Sequence, residues 1–382
     1  MMSKVYRNGM TLPRVACAIL FVIFSFCFLY FFQADILAAA QHVLSHGKTT
    51  YNATVGAVLI TLVLYILQIG VAMVTRLRGG LYALTYFPSM LLLAVITDIS
   101  THIDTHFTFG WWALAVPVLL LLYAGFVYIV WQNHIDESHR LVCSKYLRLL
   151  WVNMGTLCVM FWFTAVYSQT NDAFHYRMRA EQCLLKGDYA AAAQAGIKSG
   201  VADSSLTMLR AYALARQGVL GDRLFAYPVT GGSRALLPDS CTVRLVVFPV
   251  DKIYRDLGAK LKQQASPLAY LKFIVRHGYA TAMGRDYLLT AYLLDRNLDA
   301  FARILGRYYT VNDSLPRHYR EALTLYTHQH SAPCVEYHNS VMDTDYEDYQ
   351  QLYQSESNRV VRQAKLRDSY GNTYWYYYQQ GE

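Results

Sequence analysis

Histidine and carboxylate side chains at short spacing are the residues of this chain most able to do chemistry, because imidazole nitrogens and carboxylate oxygens can jointly bind Zn²⁺ or another divalent ion. Asp98, His102, Asp104 and His106 form one such run. A second set, His328, His330, Cys334, Glu336 and His338, offers softer ligands, but Ala332 and Pro333 interrupt it and its spacing matches no zinc pattern. A third, His134, Asp136, Glu137 and His139, lacks the spacing of the HExxH helix. Polar connectors need the same residue types for solubility, and a solvated connector is the expectation for each run. If any of them binds metal, His102, Asp104 and His106 are the candidates; no cofactor is expected.

The sequence contains no phosphate-cradling glycine loop, no G-x-S-x-G elbow and no dinucleotide fingerprint. Its serines, histidines and aspartates carry no spacing that defines a triad. The chain therefore reads as a binding protein more than an enzyme, with enzymatic activity left open. Of the seven cysteines, Cys17, Cys27 and Cys158 fall in hydrophobic runs, Cys143 in a short loop, and Cys183, Cys241 and Cys334 in the second half. Two of the last three can pair, but the spacing does not say which, and there is no CxxC element.

The elements that must position these residues divide the chain at about residue 168. Of the 60 Lys, Arg, Asp and Glu residues, only 14 lie before position 169. Mean hydropathy over the whole chain is mildly positive. The net charge of +8 splits evenly, and its basic residues flank hydrophobic runs or mix with acidic ones, so nucleic acid is not an expected partner. Five stretches, about 15–32, 54–74, 81–96, 110–131 and 149–167, approach the roughly 20 apolar residues that a helix needs to cross a bilayer. The third contains Pro88 and is expected to kink there. Gln68 and Asn153 are the most polar residues within the spans, and helix-to-helix hydrogen bonding is their expected role. The first apolar run is too long for a cleavable signal peptide and is read as an anchor.

Orientation follows from the basic residues, which are retained on the cytoplasmic side. Lys4, Arg7, Arg14, Arg76, Arg78, Arg140, Lys145 and Arg148 fall on one side, with Lys48 alone on the other. The amino terminus is expected inside and residues 169–382 outside.

In that second half, residues 174–199 read as two helices joined at Leu185-Lys186-Gly187-Asp188-Tyr189, followed by an alanine-rich segment. The turn resembles that of a tetratricopeptide repeat. Further helices are expected over 204–217, 286–294, 298–308 and 316–328, and Leu293, Leu294 and Ala300 follow Leu184, Leu185 and Ala191 at an offset of 109. Residues 219–250 break the pattern; Pro228, Gly231, Gly232, Pro238 and the β-like run 242–248 suggest a long loop or short hairpin. Tyr370, Tyr374, Trp375, Tyr376, Tyr377 and Tyr378 crowd one short stretch. Such rings suit a final helix capping the repeat stack first, a protein contact second, for which Tyr374, Trp375, Tyr376 and Tyr377 are the candidates, and contact with lipid headgroups third.

The five-span start, residues 185–189 and 287–301, and Leu315-Pro316-Arg317-His318-Tyr319-Arg320-Glu321-Ala322-Leu323 together resemble an uncharacterised family of Bacteroidetes inner-membrane proteins with a tetratricopeptide-like carboxyl-terminal region. The resemblance implies architecture and compartment and brings no activity. The expected fold is all-α, a five-helix transmembrane domain over 1–168 followed by a helical-repeat domain over 169–382. The expected function is a bacterial inner-membrane scaffold, embedded in the lipid bilayer and presenting the second domain to a protein partner on the periplasmic side. A membrane enzyme or transport accessory acting on an envelope lipid or glycan is the rival reading.

Overall fold

The computed structural model describes residues 2–101, 103, 110–132, 143–201, 203–239, 242–260 and 265–380. The fold is all-α, with no strand among the described residues. The chain separates into two compact units, Met1–Asn171 and Asp172–Glu382.

Unit 1 contains α1 (Met2–Cys27), α2 (Ala34–Leu44), α3 (Ala53–Thr75), α4 (Phe87–Thr97), α5 (Trp112–Gln132) and α6 (Cys143–Tyr167). Five segments, Leu12–Phe32, Ala53–Thr75, Gly79–Thr97, Trp112–Gln132 and Leu147–Tyr167, are long and apolar enough to cross a membrane, the mark of a membrane protein. Their outward faces stay apolar, as Leu59, Met73, Leu114, Leu121 and Trp162 illustrate. Lipid tails suit such faces and water does not. After α1 the backbone widens to a π-helical turn over Phe28–Phe32 before α2 begins.

The third segment differs from the expected kinked helix. Gly79–Tyr86 winds as a 3₁₀ helix, and α4 starts afresh at Phe87, which places Pro88 in its first turn. A proline there forfeits no intrahelical bond, so the break precedes it. The tighter winding leaves backbone groups for side chains to satisfy, which in an apolar setting must come from the protein itself. Asn153 of α6 accepts from the Ala83 amide at 2.7 Å and donates to the Gly79 carbonyl at 3.0 Å. Gln68 of α3 donates to the Thr85 hydroxyl at 3.0 Å. Ser89 donates to the Leu64 carbonyl at 2.8 Å and so ties α4 to α3.

Unit 2 comprises α7 (Asp172–Lys186), α8 (Tyr189–Gln194), α9 (Ser204–Arg216), α10 (Leu220–Arg223), α11 (Val250–Leu257), α12 (Pro267–Arg276), α13 (Ala282–Leu294), α14 (Leu298–Tyr308), α15 (Arg317–Gln329), α16 (Ser340–Ser355), α17 (Arg359–Tyr370) and α18 (Tyr374–Gln379). One continuous core runs through it, from Leu184 and Ala192 to Tyr374 and Trp375. Its axis is α9 and α13, buried on every side over 205–214 and 287–294. Helices buried all round must be enclosed by others: α7, α8 and the turn over Gly232–Leu236 pack on α9, and α11, α12, α14 and the same turn on α13.

Two turns in this unit are built alike. After α7, Gly187 adopts a left-handed backbone (φ +78°), Asp188 N–H donates to the Cys183 carbonyl, and the Asp188 carboxylate accepts from the Ala191 amide. After α13, Arg296 adopts it (φ +55°), Asn297 N–H donates to the Tyr292 carbonyl, and the Asn297 side chain accepts from the Ala300 amide. Each turn thus closes one helix with a Schellman bond and opens the next with a side-chain cap. The 109-residue offset holds for every partner.

Of the two alternatives for 219–250, the described residues form the long loop and no hairpin. They contain α10, two 3₁₀ turns over Leu224–Ala226 and Gly232–Leu236, and an irregular run into α11. The β-like run is diverted by a carboxylate: Glu181 of α7 accepts from the amides of Val246 (3.0 Å), Val247 (2.6 Å) and Phe248 (2.9 Å). Three consecutive amides converging on one side chain have none left for a partner strand.

Candidate protein-contact surface

The metal candidates His102, Asp104 and His106 lie outside the described residues, as do His134, Asp136, Glu137, His139 and Cys241. Asp98, the first member of their run, accepts from the Trp112 indole N–H at 2.7 Å. The second set is dispersed among local partners. His328 and His330 each place Nδ1 against a carbonyl one turn back, of Thr324 at 2.9 Å and Tyr326 at 3.0 Å. Cys334 meets the Tyr326 hydroxyl at 3.3 Å, and His338 lies 3.7 Å from Asp343. Among the described residues, no group of three or more His, Cys, Asp or Glu is placed to hold a metal ion.

The aromatic candidates belong to α18, whose cap is the Thr373 hydroxyl accepting from the Tyr376 amide. Tyr374 and Trp375 are drawn into the core, and Tyr376 and Tyr377 are half-buried. The Tyr374 hydroxyl donates to the Leu293 carbonyl at 3.1 Å and that of Tyr377 to Leu294 at 2.8 Å. Both carbonyls belong to the last turn of α13; that of Leu293 already accepts from the Arg296 amide at 3.1 Å and takes Tyr374 as a second donor. Arg296 returns the service, donating from Nε to the Tyr378 carbonyl at 2.9 Å and from Nη2 to that of Tyr377 at 3.1 Å. The two helices therefore cap each other, which leaves Tyr374 and Trp375 little surface to offer a partner.

Beneath α18 is a buried polar node on α15. Glu321 Oε2 accepts from the Tyr374 amide at 2.7 Å and faces His318 Nδ1 at 2.9 Å, while Oε1 accepts from Arg317 Nε at 2.8 Å. His318 Nε2 accepts from the Phe225 amide at 3.3 Å, so Nδ1 carries the proton and donates to the glutamate. The Trp375 indole donates to the Glu321 carbonyl at 2.7 Å. Each of these Glu321 and His318 atoms has its partner, so the node ties α15 to the start of α18 and to the turn at Phe225.

A second buried charge, Arg210 of α9, meets no carboxylate among the described residues. It donates to the Ala195 carbonyl at 2.8 Å, at the carboxyl end of α8, and lies over the Tyr227 ring at 5.6 Å. Burial lowers its pKa. A cation closing a helix carboxyl terminus complements the partial negative charge there.

The surface that remains exposed is elsewhere. On α12, Tyr270, Leu271 and Ile274 face the core, which turns Phe273 and His277 outward one helical turn apart. The chain then reverses at Gly278 in a left-handed conformation (φ +76°) and brings Tyr279 alongside. Phe273 and His277 ring centroids are 4.2 Å apart, and the His277 and Tyr279 rings are nearly parallel at 6.2 Å. Phe273 is 38% and Tyr279 57% exposed, with exposed Lys272 and Arg276 beside them. Aromatic residues and Arg are enriched at protein interfaces relative to the rest of the surface. The sequence reading passed over this site, although Phe273 and His277 stand four residues apart on an amphipathic helix, opposite its apolar stripe.

The profile of a family of unknown function (DUF6057) matches residues 256–381, a region that includes α12 to α18. No curated protein and no solved structure matches the chain. This part of the chain is thus similar to an uncharacterised family.

Proposed function

We propose that the chain is a membrane-anchored scaffold of a bacterial inner membrane, whose five spans hold a tetratricopeptide-like helical domain on the periplasmic side to bind a protein partner of the envelope. The observation that carries this reading is the exposed cluster of Phe273, His277 and Tyr279 on unit 2, with Lys272 and Arg276 beside it. The duplicated turn at 187–191 and 296–300 supports the repeat-like reading. Lys272 and Arg276 favour a partner with acidic residues around an apolar contact.

A photoreactive amino acid at position 279 of the full-length protein in cells should give one discrete protein adduct. Phe273→Ala should abolish that adduct without lowering the melting temperature. Loss of the adduct only together with loss of folding, or no discrete adduct from position 279, would overturn the proposal.

A further inference from the structure

Two helices of unit 2 carry opposite charge on their outer faces. α12 holds Lys272 and Arg276 and no acidic residue, whereas α16 holds Asp343, Asp345, Glu347 and Asp348 and no Lys or Arg. Within the unit α12 packs on α13, α13 on α14, α14 on α15 and α15 on α16, so three helices stand between the basic face and the acidic one.

The two faces also match in spacing. On α16, Met342, Tyr346 and Tyr349 are buried, which turns Val341, Asp345 and Asp348 outward along one stripe, with Val341 66% exposed. Burial, and then the charges of Asp348 and Asp345, raise the Tyr370 hydroxyl above its ordinary range, so both carboxylates act on the same side of the helix. On α12, Lys272 is held over the Tyr292 ring at 5.6 Å, and Arg276 follows one turn later. Along the helix axis the two cations stand about 6 Å apart and the two carboxylates about 4.5 Å. Laid antiparallel on α12, such a stripe brings Asp348 to Lys272 and Asp345 to Arg276, and Val341 then reaches the exposed ring of Tyr279. Paired charges fix register and partner choice, while the apolar contact at their side excludes water.

We propose, resting on the scaffold reading, that the partner at the α12 surface is a second copy of this chain, which lays the 341–348 stripe of its α16 antiparallel on α12. The two surfaces in contact differ, so the interface is heterologous. Each joined pair keeps one free surface of each kind, and further copies add until the row closes into a ring or continues as an open array.

The test uses two differently tagged copies of the full-length protein in the same cells, one of them carrying a photoreactive amino acid at position 279. Irradiation should join one tag to the other through a peptide covering 340–348 of the second copy. Asp345→Lys with Asp348→Lys in that copy sets like charges face to face and should cut the adduct at least about 10-fold. Lys272→Glu with Arg276→Glu in the photoreactive copy should do the same. Combining the two reversed pairs should restore the adduct to within about 3-fold of wild type, which damage to either fold would not allow. A copy-to-copy adduct at another peptide, an adduct indifferent to either reversal, or no restoration in the combination would overturn the proposal. An adduct with a different protein alone would overturn it and leave the scaffold reading standing, whereas no discrete adduct at all would overturn both.

Discussion

Replacing Glu181 tests how unit 2 holds its irregular middle. The carboxylate accepts the amides of Val246, Val247 and Phe248, and Val247 and Phe248 are 4% and 3% exposed. In Glu181→Ala at least two buried donors lose their acceptor at about 1–3 kcal/mol each, partly offset by the relieved desolvation of the carboxylate. A net loss of about 3 kcal/mol should follow, which is about a 100-fold change in the local opening equilibrium. Glu181→Gln keeps one acceptor oxygen and should lose about half as much. Native-state hydrogen exchange on the full-length protein in detergent reads these amides directly. Burial raises the Glu181 carboxyl above its ordinary range, with the three amides and Arg177 pulling the other way. A raised group contributes stability that is present below its unfolded value and lost as the pH rises through its folded one. Protection of 246–248 in the wild type, relative to Glu181→Gln, should therefore grow as the pH falls from 7 toward about 4.3. Exchange in Glu181→Ala within threefold of wild type would refute the reasoning.

Three further outcomes follow from single contacts. Arg296→Gly relieves a left-handed backbone worth about 1 kcal/mol but removes both donors to the end of α18, so thermal unfolding should show a net loss of about 1–2 kcal/mol; a gain would contradict mutual capping. Asp313 accepts from Asn339 Nδ2 at 2.8 Å and the Tyr337 hydroxyl at 2.9 Å, which hold its pKa below the usual aspartate range. Its contribution is present above the unfolded value of about 3.9 and lost as the pH falls through the lower folded one, so the stability gap between wild type and Asp313→Asn should narrow as the pH falls below about 3.9; a gap constant with pH would argue against it. Asn153→Leu strands the Ala83 amide and the Gly79 carbonyl and should cost about 2–4 kcal/mol in detergent melts, whereas an unchanged melt would mean the 3₁₀ segment does not depend on it.

Local signals carried most of what the sequence made legible. The spans are visible because apolar length is a property of neighbours in the chain, and the turns at 187–191 and 296–300 because a left-handed residue and a capping side chain sit within a few positions of each other. Helix 298–308 was legible to the residue, bounded by the Asn297 cap. What escaped depends on pairing across distance. Nothing around 242–248 reveals that Glu181, more than 60 residues earlier, will take its amides, so the composition could not decide between a long loop and a short hairpin. The composition of α18 fits a capping helix or a partner contact equally, and which carbonyls its tyrosines reach, about 80 residues away on α13, is visible only in the fold. The stack at 273, 277 and 279 needed only the amphipathic phase of α12, and was missed because a denser aromatic cluster lay elsewhere.

The claim on which the account rests is that the five spans deliver unit 2 to the outer side of the membrane. Alkaline phosphatase fused after Lys145 and after Asp172 measures this most directly, because the enzyme is active only when exported. Activity after Asp172 and none after Lys145 is the predicted result, as the eight-to-one distribution of basic residues requires. Activity after Lys145 with none after Asp172 would place unit 2 inside and contradict the scaffold reading.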